Sequence, residues 1–157
     1  MSAMKIKTIG LIVAICSLAG AVSFAADLQL GTWKLNEAKS KATPGMGKVM
    51  MVTYKNTLGN VKVTVDGVDA KGKPTHSEWS GKIDGKDYPV TGDPISDARS
   101  YTKVNDRTMD FAVKKGGKTT ITGRIVVAAD GKSRTVTTSG TDPSGKKVNS
   151  ASVYDKQ

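Results

Sequence analysis

The chain contains little of the chemistry that metal binding and enzymatic catalysis usually require. Its 157 residues include one cysteine, Cys16, and one histidine, His76. A zinc site of the usual kind draws several ligands from cysteine and histidine, and a Ser-His-Asp arrangement would have to use His76. No Gly-x-Ser-x-Gly motif accompanies that histidine. We therefore expect no metal site, no cofactor and no enzymatic activity.

Two segments look like the end of a phosphate-binding loop but lack its first glycine. Gly117-Lys118-Thr119 has Ala112 at the position where such a loop has glycine, and Gly131-Lys132-Ser133 has Val126 there. Without that glycine the loop cannot wrap around a phosphate. Both segments are typical of turns between strands.

A long apolar run occurs only near the N-terminus. Residues 9–22 are rich in apolar side chains and follow Lys5 and Lys7, which is the pattern of a secretory signal peptide. The run is too short to span a bilayer. We expect cleavage of residues 1–25 after Ala25, with Ala26 as the alternative position, and a periplasmic or secreted protein. Residues 26–157 would form a single domain with no disulfide and no transmembrane span.

Helical periodicity is almost absent after Asp27, and short runs rich in valine, threonine and isoleucine occur instead. Val61, Val63 and Val65, for example, alternate with polar residues, and this period of two predicts a strand with one buried and one exposed face. About ten such runs lie between glycine-containing breaks. The one helical candidate is the segment 36–41, where Asn36 occupies a capping position.

Five Gly-Lys pairs separate the predicted strands and are typical of tight turns. They are Gly72-Lys73, Gly85-Lys86, Gly117-Lys118, Gly131-Lys132 and Gly145-Lys146. Strands joined by tight turns form an up-and-down meander, and closure protects a long meander from edge-to-edge aggregation. We therefore predict an all-β fold: a single antiparallel up-and-down β-barrel of about 8–10 strands, with one short helix after the first strand.

The start of the first predicted strand, Gly31-Thr32-Trp33-Lys34-Leu35, resembles the Gly-x-Trp opening of the calycins, the superfamily of lipocalins and fatty-acid-binding proteins. The final segment, Val153-Tyr154-Asp155-Lys156, is similar to the end of a fatty-acid-binding protein. Small exported bacterial proteins also open with Gly-Thr-Trp-Lys-Leu-Asn. The resemblance implies a calycin-like barrel in which Gly31 and Trp33 are structural and Trp33 closes one end.

The same resemblance implies candidate ligand-binding residues. Fatty-acid-binding proteins hold a carboxylate with an Arg-x-Tyr pair on the last strand and with a second arginine two strands earlier. Tyr154 matches the tyrosine, Ser152 stands where the paired arginine would be, and Arg124 is the candidate for the second arginine. Arg124 is out of phase with Ile121 and Ile125, so it faces water if those isoleucines face the core.

Trp79 is a further candidate because of its own neighbours. On its face of the predicted strand, Ser77, Gly81 and Ile83 are small or apolar, which would leave room for a ligand beside the indole. Packing of Trp79 in the core is the alternative.

The function that we expect is non-enzymatic binding of a small hydrophobic or amphiphilic ligand inside the barrel. The net charge of +10, which becomes +8 without the two signal lysines, favours an alternative function. Lysine-rich turns at the barrel ends would attract anionic lipid, polysaccharide or a protein partner of the cell envelope, unless they only maintain solubility. We expect no nucleic-acid partner, because no strand surface interleaves aromatic with basic residues.

Overall fold

The computed structural model of the protein describes residues 28–141 and 144–157. The predicted signal peptide and its cleavage position lie outside these residues. The described part contains ten strands, which are β1 (Gly31–Ala42), β2 (Lys48–Thr57), β3 (Asn60–Val68), β4 (Pro74–Gly81), β5 (Tyr88–Thr91), β6 (Ala98–Lys103), β7 (Thr108–Lys115), β8 (Lys118–Val127), β9 (Ser133–Thr141) and β10 (Lys147–Lys156).

The ten strands close into one antiparallel barrel. Each strand pairs with the next along the chain, and β1 pairs with β10. In that closing pair, Trp33 lies opposite Lys156, and Leu35 lies opposite Tyr154. The prediction of an all-β, up-and-down barrel is confirmed. Within the described ranges, no helix has the length and apolar character that crossing a membrane would require.

The predicted short helix is wrong, because residues 36–41 belong to β1. Asn36 does cap a turn there: its Oδ1 accepts the Lys39 N–H at 3.2 Å, and the Ser40 hydroxyl donates to the Asn36 carbonyl at 2.6 Å. The turn is a bulge, since pairing with β10 stops after Asn36 and resumes at Lys41. Asparagine makes this local hydrogen bond in bulges as well as at helix starts, and the pairing with β10 selects the bulge.

Alternation along the strands separates the barrel interior from its outer face. In β3, Val61 and Val63 are buried. Lys62, between them, points outward and pairs with Glu78 of β4 at 2.8 Å. The period of two in the sequence therefore does mark the core, because successive side chains of a strand point to opposite faces.

The five Gly-Lys pairs all lie at connections between strands, as predicted. In the turn between β3 and β4, the Gly72 N–H donates to the Asp69 carbonyl at 3.0 Å, and Asp69 Oδ1 accepts the N–H groups of Lys71 and Lys73 at 2.8 and 2.9 Å. Gly72 has a φ of 78°, which a residue with a side chain rarely adopts. The matching turn before β10 begins at residues outside the described part.

Successive connections alternate between the two ends of the barrel, because neighbouring strands run antiparallel. We call one end the open end; its connections include residues 43–47, 69–73, 92–97, 116–117 and 144–146. The other is the closed end, formed by the start of β1, the end of β10 and residues 58–59, 82–87, 104–107 and 128–132.

Candidate ligand-binding cavity

Trp33 fills the closed end of the barrel. Its indole is fully buried, and its Nε1 donates to the Gln29 carbonyl at 2.7 Å. The ammonium of Lys156 lies 5.1 Å from the ring centroid. Gly31 has a φ of 109°, and a Cβ at that position would approach Lys156 Cε to 3.1 Å. Gly31 and Trp33, which the resemblance implied to be structural, therefore lie together where the chain enters the barrel.

A cavity of about 920 Å³ occupies the interior on the other side. Its wall is lined mainly by apolar side chains, among them Leu35, Val52, Val65, Ile121, Ile125 and Val136. Residues from the open-end connections, including Pro44, Asp69 and Ile95, frame its mouth. The barrel is thus a cup with one blind end and one accessible end.

Arg134 places a positive charge in this interior. Only 2% of the residue is exposed. Its guanidinium carbon lies 4.8, 5.0 and 5.3 Å from the ring centroids of Trp33, Tyr54 and Tyr154. Its Nη1 donates to Gln29 Oε1 at 3.0 Å, whereas its buried Nε has no hydrogen-bond partner. Contacts with aromatic faces stabilise a desolvated cation, but they do not satisfy its N–H donors.

Arg99, on β6, is the second charged group of the interior. Its side chain is 11% exposed, and its Nη2 lies 3.6 Å from Asp93 Oδ2. Its Nη1 is 3.5 Å from the Tyr101 hydroxyl, at the long limit of a hydrogen bond, and its buried Nε has no partner. The Asp93 carboxylate also accepts the Ile95 N–H at 2.9 Å and the Ser96 hydroxyl at 2.5 Å. Asp93 is therefore the counter-charge of Arg99, at a distance longer than that of a direct hydrogen bond.

Tyrosine side chains line the cavity between these arginines. The ring centroids of Tyr54 and Tyr101 are 6.3 Å apart in an edge-to-face arrangement. Burial raises the pKa of Tyr54, and the neighbouring Tyr101 raises it further. Burial also raises the pKa of Tyr154, whose hydroxyl donates to the Val49 carbonyl at 3.1 Å. The Tyr54 and Tyr154 hydroxyls therefore keep their protons at neutral pH and act as neutral hydrogen-bonding groups.

Of the two residues that the resemblance indicated, only Tyr154 lines the cavity. Arg124 points away from it, on the outer face of β8. Its Nε and Nη2 donate to the two carboxylate oxygens of Asp110 at 2.6 and 2.8 Å. Because Ile121 and Ile125 do face the cavity, Arg124 faces solvent, as the phase of the strand indicated.

Trp79 lies in the core beside the cavity but does not line it. Its Nε1 donates to the Arg99 carbonyl at 2.9 Å, and its ring contacts Tyr101 at a centroid distance of 4.8 Å. The space that the small Gly81 leaves beside the indole is filled by the ring of Tyr88, 5.8 Å away. This packing is the alternative considered for Trp79 from the sequence.

The sequence did not lead us to the two arginines of the interior, Arg99 and Arg134. A signal was present, since Arg134 shares its strand phase with the apolar Val136, and Arg99 shares its phase with Tyr101. An arginine in the apolar phase of a strand is a buried charge, and buried charges need partners.

The side chain of His76 is exposed at the outer edge of the cavity mouth. Its side chain is 59% exposed, and its Nδ1 lies 2.6 Å from Asp66 Oδ1. This pair links two neighbouring strands, because His76 of β4 lies opposite Asp66 of β3.

Comparison with known proteins gives a likeness of fold alone. No family model matches the chain, and no curated protein does. A redesigned β-barrel matches with 16% identity over 85% of this chain and 95% of its own, at a TM-score of 0.47. A second redesigned β-barrel, bound to DFHBI, matches with 15% identity over 84% and 98%, at a TM-score of 0.44. Nothing about a ligand of the present chain follows from these similarities.

Proposed function

We propose that this protein is an exported, non-enzymatic binding protein that holds a small or amphiphilic ligand inside its barrel. The observation that carries the proposal is the cavity of about 920 Å³, which reaches Arg134 above the Trp33 ring and has a mouth between the open-end connections. A structural barrel of this size can fill its interior with side chains, whereas this one leaves a space with an entrance.

The volume and the wall suit a molecule with a substantial apolar part. Ligand sites of roughly 300–1,000 Å³ take drug-sized molecules and bury most of their surface. Val52, Ile125 and Val136 present aliphatic surface to this space. Each methylene group that a ligand buries there contributes about 0.8 kcal/mol. A ligand with an alkyl or aromatic body therefore gains affinity from the wall alone.

The mouth of the cavity carries apolar side chains that an apolar ligand can contact as it enters. Val49 and Ile95 are large apolar residues that line the cavity and are exposed to solvent. Lys48 and Glu37 lie beside them and form an ion pair at 2.8 Å. Exposed apolar side chains at an entrance offer an incoming apolar group its first contacts.

Native mass spectrometry of the protein purified from its own cell envelope, without organic solvent, tests this function. We expect a stoichiometric small-molecule adduct that is released when the protein is denatured. An apo mass that persists after incubation with an envelope lipid extract would contradict the proposal. Sequencing the N-terminus of the same sample tests export, for which the supporting observation is the signal-like segment 1–25.

A second candidate function is contact with anionic envelope components through the basic turns. Three Gly-Lys pairs lie at the open end and two at the closed end, so both ends carry lysine. Such attraction is weakened by salt. Co-sedimentation with anionic vesicles that occurs at low ionic strength and is lost at about 0.5 M salt would support this function. Absence of sedimentation at low ionic strength would exclude it.

A further inference from the structure

We propose that the cavity ligand carries a carboxylate and binds with that group inside the barrel, between Arg99 and Arg134. This inference rests on the proposed binding function and adds to it the chemical class of the ligand. None of the candidate residues drawn from the sequence forms this site except Tyr154, which lies against Arg134.

Arg134 is a buried cation whose hydrogen-bonding capacity is largely unused. Within residues 28–141 and 144–157, no carboxylate forms an ion pair with it, and the groups that it does reach, the Gln29 side chain and the Tyr54 hydroxyl, are neutral. Its Nε is buried and unpartnered, and so is Gln29 Nε2. A buried charge is costly unless it is paired. A ligand anion reaching Arg134 through the cavity would supply the missing pair.

Arg99 repeats this arrangement on the wall of the same cavity. Its Nε is buried without a partner, and the nearest carboxylate, Asp93, is 3.6 Å from its Nη2. Charge-assisted N–H···O bonds are shorter than that, at about 2.7–2.9 Å. Arg99 is therefore an incompletely satisfied donor that lines the space a ligand would occupy.

Tyrosines connect the two guanidinium groups. The Tyr101 hydroxyl lies 3.5 Å from Arg99 Nη1, and the Tyr54 ring lies under Arg134 at 5.0 Å. Tyr54 and Tyr101 contact each other edge to face. The two arginines thus belong to one continuous polar cluster inside an otherwise apolar wall. A carboxylate, which accepts up to about four hydrogen bonds, fits such a set of donors.

The charges of the cluster favour a monoanion. The guanidiniums of Arg99 and Arg134 and the single carboxylate of Asp93 leave one uncompensated positive charge in the interior. A carboxylate brings one negative charge, whereas a phosphate monoester brings about 1.5–2. The other charged residues that line the cavity lie at its mouth, near solvent, and are Glu37, Lys48, Asp69, His76 and Lys146.

Binding of three matched fluorescent probes to the purified protein tests the assignment. The probes are an 18-carbon conjugated tetraene carboxylic acid, the corresponding primary alcohol and the corresponding alkyl phosphate. We expect the acid to bind at least about tenfold more tightly than the alcohol, because charge-assisted hydrogen bonds are strong in a desolvated site. We also expect it to bind more tightly than the phosphate.

Variants of the cavity residues then show which side chains are responsible for the preference for the acid over the alcohol. Arg99→Gln should reduce acid affinity at least about tenfold while alcohol affinity changes less than about threefold. Tyr101→Phe should lower acid affinity by a smaller factor. The control Arg107→Gln, which removes the same charge from an exposed turn at the closed end, should leave all three affinities unchanged.

The outcomes separate the two proposals. Equal affinity of the unmodified protein for acid and alcohol overturns the carboxylate site and leaves the binding function standing, without reliance on any variant being folded. Absence of binding of all three probes overturns both. Tighter binding of the phosphate than of the acid overturns the assignment to a monoanion.

Discussion

The guanidinium carbon of Arg134 lies 4.8 Å from the centroid of the Trp33 ring, with both residues almost completely buried. This contact therefore joins the closed end of the barrel to the charged group of the cavity. Trp33 closes the end of the barrel with its indole, and the same indole supports a positive charge that faces the cavity. The blind end of the cup is consequently polar and aromatic, while its wall is aliphatic.

Removal of the Trp33 ring should destabilise the whole barrel. Trp33→Ala deletes a fully buried side chain and its hydrogen bond to the Gln29 carbonyl, and it leaves Arg134 without its closest aromatic contact. We expect the free energy of unfolding to fall by about 3–5 kcal/mol, measured by urea denaturation. Thr122→Ala on the exposed outer face is the control, with an expected change within about 0.5 kcal/mol. Equal losses for both variants would contradict the role of Trp33.

Replacing Leu58, in the turn between β2 and β3, should stabilise the protein. Leu58 has a φ of 42° and is fully exposed, and it precedes Gly59 with a φ of 85°. Thr57 pairs with Asn60 across this two-residue turn. Positive φ at both central positions favours Asn-Gly. We expect Leu58→Asn to raise the free energy of unfolding by about 0.5–1 kcal/mol, because asparagine tolerates this conformation better than leucine. A lower midpoint of thermal unfolding would refute this expectation.

Filling the cavity should abolish ligand binding without unfolding the barrel. Ile121 lines the cavity and is only partly buried, so Ile121→Trp can direct its larger ring into that space. We expect loss of the co-purified adduct and at least about tenfold weaker probe binding. Thr122→Trp adds the same ring to the outer face and should change neither measurement. Retention of the adduct in Ile121→Trp would place the ligand elsewhere.

Neutralising Asp93 should change which anion the cavity prefers. Asp93→Asn keeps an oxygen for the Ile95 N–H but removes the counter-charge of Arg99, so two uncompensated guanidiniums remain. We expect the affinity for the alkyl phosphate, relative to that for the carboxylic acid, to rise by at least about fivefold. The ratio is measured by competition of the two probes in one sample. An unchanged ratio would show that Asp93 does not set the charge of the site.

The Asp110–Arg124 pair on the outer face should make a small, pH-dependent contribution to stability. Hydrogen bonds from Arg124 lower the pKa of Asp110 below its ordinary value of 3.8. The folded state therefore favours the ionised form, so the stabilisation is present above the unfolded pKa and is lost as pH falls through the folded pKa. We expect Asp110→Asn to cost less than about 1 kcal/mol at neutral pH, since the pair is solvent-exposed.

Urea denaturation at about pH 7 and about pH 2 checks this effect. At the lower pH the difference in stability between the variant and the unmodified protein should shrink, because the stabilisation is lost as pH falls through the folded pKa of Asp110. A difference that persists in acid would mean that Asp110 acts by packing rather than by charge.

The amino-acid sequence by itself determined where most of the strands and turns of this protein lie. The period of two in runs such as Val61 to Val65 specifies strands, and turn chemistry such as Asp69 with Gly72 specifies where they reverse. Both signals depend only on neighbouring residues. Together they were enough to predict the all-β barrel and its sequential strand order.

Only the tertiary structure decided what the interior contains. Asn36 makes the same local hydrogen bond in a bulge as at a helix start, and its pairing partner in β10 selected the bulge. The space beside Trp79 was taken by Tyr88, which comes from the next strand. Arg99 and Arg134 lie 35 positions apart, and closure of the barrel brings both to one cavity. Such contacts depend on how the strands pair and pack in space, which no local pattern records.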